Sequence, residues 1–361
     1  MRPTLPDSLL SALSALLSAR IGLHFPQERW GDLERGIAAA AAAFGLPDAA
    51  SCAQRLLSTP LTHREIEILA SHLTVGETYF FREPRSLDGF EQHILPALLH
   101  ARTHNARRLR IWCAGCCTGE EPYSIAMLLD RLIPEHEAWN VTLLATDINP
   151  AFLRKAAEAE YGEWSFRATP EGVRARYFKR KRDGRYVLHP RIRKKVTFSY
   201  LNLAEDVYPS LSNNTNAMDV IFCRNVLMYF TAERVSAVVE QLYRSLVDGG
   251  WLIVSPAETS SVLFSRLTSV AFAGATLYRK PANADAPRFV SPMPAPATEP
   301  WPEAGRPVAP ALPQALPEVA AAPTPASLAV APRGTGTPAQ AARDCANQGR
   351  LDEAVAWCRE A

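Results

Sequence analysis

The sequence predicts an α/β protein whose main domain is a doubly wound, mostly parallel sheet, with a helical module before it and a small β-subdomain inserted in it. Three observations carry this expectation. From about residue 85 to 280, short apolar runs alternate with segments of helical period, the mark of βαβ units. Residues 1–75 show the helical period alone. Residues 161–195 break the alternation: they are basic and carry the turn Asp183-Gly184 before Arg185-Tyr186-Val187-Leu188-His189, which reads as a β-hairpin.

In chain order, Leu9, Leu10, Leu13, Leu16 and Leu17 recur on one face of a first helix, with Asp7 or Ser8 as its cap. A second helix is expected near Trp30 to Phe44, ended by Gly45 with Pro47 beyond it. A third runs from about His63 to Leu73, capped by Thr62. Strands are expected at Leu109–Ala114, Val141–Thr146, Val196–Tyr200, Met218–Cys223 and Trp251–Ser255. Helices lie between them at Pro122–Leu132, 150–159 and 231–247.

Beyond Lys280 the composition changes. Residues 281–338 hold 15 of the 29 prolines and many alanines with no apolar period, a disordered or extended linker. In 339–361, Gly349, Ala354 and Ala361 fall where a tetratricopeptide repeat places its turn glycine and small packing residues. The sequence stops before one repeat of ~34 residues closes. This stretch reads as the start of such a repeat, cut short, or as an ordinary terminal helix.

A formal charge of +2 is close to balance, so electrostatic partners must be read from local patches. Seven cysteines without framework spacing suit reduced thiols and a cytoplasmic protein. Cys113, Cys116 and Cys117 invite a metal, but no second cluster follows at ligand spacing, and none is expected. No apolar run reaches the ~20 residues that span a bilayer, so no direct membrane insertion is expected.

Two strand ends bear on function. Ala114-Gly115-Cys116-Cys117-Thr118-Gly119-Glu120-Glu121-Pro122 follows the first strand, and its glycines let the backbone turn sharply beside a ligand. It is neither G-x-G-x-x-G nor a phosphate loop. Asp147 ends the second strand, where a carboxylate can take both hydroxyls of a ribose. The pair points to a nucleoside cofactor, either S-adenosylmethionine or a dinucleotide.

Five segments together resemble the chemotaxis receptor methyltransferases. They are Trp112 to Ser124, Glu77-Thr78-Tyr79-Phe80-Phe81-Arg82-Glu83, Ala145-Thr146-Asp147-Ile148, Asn202-Leu203, and Cys223-Arg224-Asn225-Val226-Leu227-Met228-Tyr229-Phe230. The resemblance implies a class I S-adenosylmethionine-dependent fold over residues 76–280, after an N-terminal helical domain at 1–75 and with 161–195 as the inserted β-subdomain. It implies methyl transfer from S-adenosylmethionine to receptor glutamates, leaving S-adenosylhomocysteine. Carried over motif by motif, it places Thr78, Arg82, Gly115, Glu121, Asp147, Asn202, Leu203, Asn225 and Val226 at the cofactor, with Arg82 or Tyr229 orienting the incoming carboxylate. Relatives usually carry Asn where this chain has Gly76, which implies one lost polar contact.

The implied partner is the cytoplasmic domain of a methyl-accepting chemoreceptor. The residues Lys179, Arg180, Lys181, Arg182, Arg185, Arg191, Arg193, Lys194 and Lys195, against Asp183 alone, suit a glutamate-rich receptor bundle. Arg20, Arg29, Arg35 and Arg55 are further candidates for facing the receptor, or simply solubilising. A nucleic-acid partner is not expected, because aromatic platforms are not interleaved with these charges. The tetratricopeptide stretch suggests a second protein partner. Two alternatives stand: a methyltransferase for another acceptor, and a non-catalytic scaffold acting through its repeat.

Overall fold

The computed structural model describes residues 5–102, 107–133 and 138–282. The expected linker, Pro281 and Ala282 apart, and the repeat-like stretch lie outside the described residues.

The N-terminal module has four helices: α1 (Asp7–Ile21), α2 (Trp30–Ala43), α3 (Ala49–Ser58) and α4 (His63–Leu73). Leu10, Leu13, Leu17, Leu33, Ile37, Leu56 and Leu69 close around one core. The α1 cap differs from expectation: Pro6 holds that position with no side-chain hydrogen bond, and Asp7 is already helical. Thr62 caps α4 as expected, with Glu65 completing a capping box. Helix α3 was missed, since only Cys52, Ala53 and Leu56 turn inward and leave a faint apolar period.

A connecting rod follows, made of α5 (Pro84–Gly89), one π turn (Phe90–Ile94) and α6 (Leu95–Arg102). Then comes the alternation: β1 (Arg108–Ala114), α7 (Glu120–Leu132), β2 (Asn140–Asp147) and α8 (Pro150–Glu158). The insertion contributes β3 (Glu160–Tyr161), α9 (Val173–Tyr177), β4 (Phe178–Arg180), β5 (Tyr186–Leu188) and α10 (Pro190–Arg193). The chain closes with β6 (Val196–Tyr200), β7 (Met218–Phe222), α11 (Ala232–Ser245), β8 (Leu246–Ile253), β9 (Thr268–Phe272) and β10 (Ala275–Arg279).

The main sheet has seven strands in the order β6-β2-β1-β7-β8-β10-β9. All pairs from β6 to β8 are parallel, while β10 runs antiparallel to both β8 and β9. Helices cover both faces, so β1 is buried almost throughout and reads as an unbroken apolar run. Leu109, Ile111 and Cys113 enter the core on one face, Trp112 and Ala114 that on the other. A register shift between Met218 and Val220 puts Met218 out of phase with Val220 and Phe222. The Asp219 carboxylate there accepts from Arg102, bonded through both oxygens, and from the Arg110 amide at 2.7 Å.

The expected hairpin forms, and β3 adds a third strand to it in the order β3-β5-β4. Phe80 joins this subdomain to the rest: its ring packs on Tyr161, Phe166 and Phe178, and its amide donates to the Ser165 carbonyl. No helix among the described residues is long and apolar enough to cross a membrane.

Candidate functional site

The chain runs from β1 outward through β2 to β6, then returns to build β7 and β8 on the other side. This reversal opens a crevice at the carboxyl ends of β1 and β7, the place where doubly wound sheets take ligands. A cleft of about 380 Å³ lies there, and all ten residues expected at the site line it: Thr78, Arg82, Gly115, Glu121, Asp147, Asn202, Leu203, Asn225, Val226 and Tyr229. The N-terminal module supplies one wall through Ile21, His24, Phe25, Arg29 and Thr74.

Gly115 turns the chain out of β1 at φ +83°, and a Cβ there would overlap Val226 Cγ2. The close approach of the β1 and β7 ends therefore requires glycine. The Gly115 and Cys116 amides donate to the Thr146 carbonyl at 2.8 and 2.9 Å, which ties the turn to β2.

Asp147 accepts from the Cys117 amide at 2.8 Å and from the Asn149 amide at 2.9 Å. Each oxygen keeps a further lone pair for a ligand hydroxyl. Burial pushes its carboxyl up to about 6, against those amide hydrogen bonds, which favour ionisation. Cys117 beside it is pushed up to about 12 by burial and the Asp147 charge, so it stays a thiol. Among the described residues no group of three metal-ligating side chains is placed to hold an ion, and Cys52, Cys113, Cys116, Cys117 and Cys223 are free thiols.

The acid–base chemistry at the β1–β7 end centres on Arg224, which the sequence places within a motif without marking it as a site residue. Its guanidinium is almost fully buried and donates to Glu121 Oε2 at 2.9 Å, to Glu83 Oε2 at 3.0 Å and to the Arg82 carbonyl at 2.5 Å. Burial raises the Glu121 carboxyl, and the Arg224 charge opposes the rise. Arg82 spends one N–H on the Glu77 carbonyl at 2.5 Å, and its Nε lies 3.9 Å from Glu83 Oε1 in a long ion pair. Nothing in local sequence marks Arg224; its importance comes from burial among three partners distant in the chain.

Asn202 lines the cleft with its amide already engaged. It donates to the Arg20 carbonyl at 2.9 Å and to Glu205 at 3.0 Å, and accepts from the Ala204 amide at 3.0 Å. Its side chain thus locks the helical module to the loop after β6. At Gly76 a Cβ would lie 2.8 Å from Phe152 Cζ, and Phe152 is itself a cleft wall. A longer side chain here would require this half-buried ring to shift.

These residues suit S-adenosylmethionine. Asp147 offers acceptors for ribose hydroxyls, and Ile148, Phe152, Leu203 and Val226 give apolar walls for a base. Arg82 and Glu121 present opposite charges for an amino-acid zwitterion. The fold and cleft together define a class I methyltransferase.

The chain belongs to the CheR methyltransferase family: the model described as "CheR methyltransferase, SAM binding domain" matches residues 76–271. It is 35% identical over 217 residues to chemotaxis protein methyltransferase 2 of Vibrio cholerae, covering 60% of this chain and 74% of that protein. Chemotaxis protein methyltransferase 1 of Pseudomonas aeruginosa is 34% identical over 222 residues, 59% of this chain and 77% of that one. A probable biofilm formation methyltransferase, WspC, of the same organism is 34% identical over 283 residues, 77% of this chain and 63% of that protein. The protein is an S-adenosylmethionine-dependent methyltransferase of chemotaxis-type signalling.

Proposed function

We propose that this cleft esterifies glutamate side chains in the cytoplasmic domain of a methyl-accepting chemoreceptor. The observation that carries the reading is the state of the cleft's own acids. Glu121 is bound to Arg224, Asp147 to two amides, and Glu77 to Arg167. None of these three carboxylates is left uncommitted as a general base, and a glutamate acceptor, already ionised at neutral pH, needs none. When bound, S-adenosylmethionine supplies an electrophilic methyl group on a positively charged sulfur.

The residues then act by positioning. Asp147 holds the ribose, and Arg82 and Glu121 hold the amino-acid end. Thr78, Asn202, Leu203, Asn225 and Val226 frame the remainder. Tyr229 and Arg82 orient the incoming carboxylate; among the described residues the Tyr229 hydroxyl makes no hydrogen bond, while its carbonyl accepts from the His24 amide at 2.8 Å. Bringing the reacting atoms to ~3–3.5 Å in line supplies much of the rate.

The 161–195 subdomain docks the receptor in this reading. Its charge is smaller than sequence counting suggests, because Glu160 takes Lys181 and Arg185 while Asp130 takes Arg191 and Lys195. Lys179, Arg182, Arg193 and Lys194 are exposed and, among the described residues, make no ion pair. These four are the cations offered to an acidic receptor helix. Residues 281–338 serve as a tether, and 339–361 begin a tetratricopeptide module for a second protein partner.

The test is transfer of labelled methyl from S-adenosylmethionine to receptor cytoplasmic fragments, followed by mild alkali. Label that leaves as methanol is the expected result. Alkali-stable label would mean another acceptor, and cofactor binding without any transfer would favour the scaffold role.

A further inference from the structure

The loop after β7, residues 224–229, carries Asn225, Val226 and Tyr229 into the cleft, yet it lies beyond the strand and has no ladder to hold it. Asn225 sits at φ +57°, a left-handed state that asparagine accepts more readily than other side-chain-bearing residues, and its side-chain amide donates to Glu83 Oε1 at 3.2 Å. The backbone amides of the loop are held from the end of the next strand. Glu258, in a 3-10 turn just after β8, sends its buried carboxylate under this loop. Oε2 accepts from the Asn225 amide at 2.8 Å, and Oε1 from the Val226 amide at 2.7 Å and the Met228 amide at 3.3 Å. The carboxylate is fixed in turn by Ser255, whose hydroxyl donates to Oε2 at 2.7 Å and whose amide does so at 3.2 Å.

We propose that Glu258 is a positioning residue for methyl transfer: its carboxylate sets the backbone of residues 225–228, and through it the Val226 and Tyr229 side chains. The inference rests on the reading of this cleft as the methyl-transfer site. Every partner of the carboxylate is an N–H or O–H donor, so an acceptor-only group is required at both oxygens. Glutamine keeps the shape and turns an NH2 group against at least two donors. The chemistry belongs to the carboxylate, which itself touches neither cofactor nor substrate.

The experiment compares wild type with Glu258→Gln on two readouts. One is amide hydrogen exchange across residues 224–229 in the cofactor-free full chain. The other is the single-turnover methyl-transfer rate per binding-competent site, with those sites counted by S-adenosylhomocysteine titration. Exchange in the loop should quicken at least tenfold while β7 and α11 keep their protection, and the rate per competent site should fall at least tenfold. A merely structural role would reduce the number of competent sites and leave the rate of each one intact. Unchanged loop exchange, or a rate per competent site within twofold of wild type, overturns the proposal. If Glu258→Gln does not fold, Ser255→Ala removes the 2.7 Å hydroxyl donor and the cap that the same hydroxyl gives the Glu258 amide, while the carboxylate stays; two- to fivefold shifts in both readouts are expected, and no shift in either overturns the proposal. Wild-type label on a non-glutamate acceptor would sink the proposed function, whereas the exchange readout tests Glu258 independently of the acceptor.

Discussion

Asp147 is the residue whose environment makes the sharpest prediction. Burial pushes its folded carboxyl up to about 6, outweighing the backbone amide hydrogen bonds it accepts. A raised acid binds its proton more tightly when folded, so the stability it gives at low pH is lost as pH climbs from about 4 to about 6. Cofactor binding works in the opposite sense, because ribose hydroxyls donating to Asp147 favour the ionised form. Affinity for S-adenosylhomocysteine should therefore tighten as pH rises through about 6 and level off above 7, by at most ~10-fold per unit for one linked proton. Calorimetry across pH 5–8 checks this, and Asp147→Asn should flatten the profile. At Tyr229, which is outside the hydrogen-bond network around Arg224, the change to Phe should raise KM for receptor severalfold and leave cofactor Kd within twofold. Unchanged receptor kinetics would remove the tyrosine from the orienting role.

Among the elements, α8 shows how a strand end is held to the helical module. Asn149 caps α8 through the Ala151 and Phe152 amides at 2.8 and 3.2 Å. The same fully buried side chain donates to Thr74 Oγ1 at 2.8 Å and to the Ala70 carbonyl at 3.3 Å, both at the end of α4. Asn149→Ala removes a cap worth about 1 kcal/mol and strands buried partners at about 1–3 kcal/mol more. Thermal unfolding should show a fall in Tm on the order of 10 °C. Phe152 and Thr74 both line the cleft, so cofactor affinity should fall with it. A Tm within 2 °C of wild type would show that water replaces the lost bonds.

For the whole molecule, the proposed function separates cofactor binding from receptor docking. The cofactor cleft lies at the switch point of the main sheet, while the exposed cations sit on the inserted subdomain that Phe80 fastens down. Reversing Lys179, Arg182, Arg193 and Lys194 to Glu should raise KM for receptor at least tenfold at low salt. The gap should narrow as ionic strength rises and the Debye length falls to ~8 Å at 0.15 M. Cofactor Kd should stay within twofold, since Asp130 and Glu160 keep their own partners Arg191, Lys195, Lys181 and Arg185. Receptor kinetics that ignore both charge reversal and salt would move the docking face elsewhere, with the Arg29 wall of the cleft the next candidate.

Local pattern alone determined the α/β class, the core strands of the parallel sheet, the Thr62 cap, the hairpin at Asp183-Gly184, and the glycine turn and aspartate that announce a nucleoside site. Each is a short-range signal: period, cap, turn or strand end. The antiparallel pair β9 and β10 and the rod from Pro84 to Arg102 were not legible, because half-buried or irregular segments leave little period. Only the tertiary structure decided that Arg224 binds Glu83 and Glu121, that Asn202 is occupied by Arg20 and Glu205, that Phe152 stands against Gly76, and that Glu258 carries the loop after β7. The physical reason is the same in each case. A buried polar group takes whichever partner the packed fold brings near it, and these partners lie far apart in sequence or are set by a chain reversal that no local window contains.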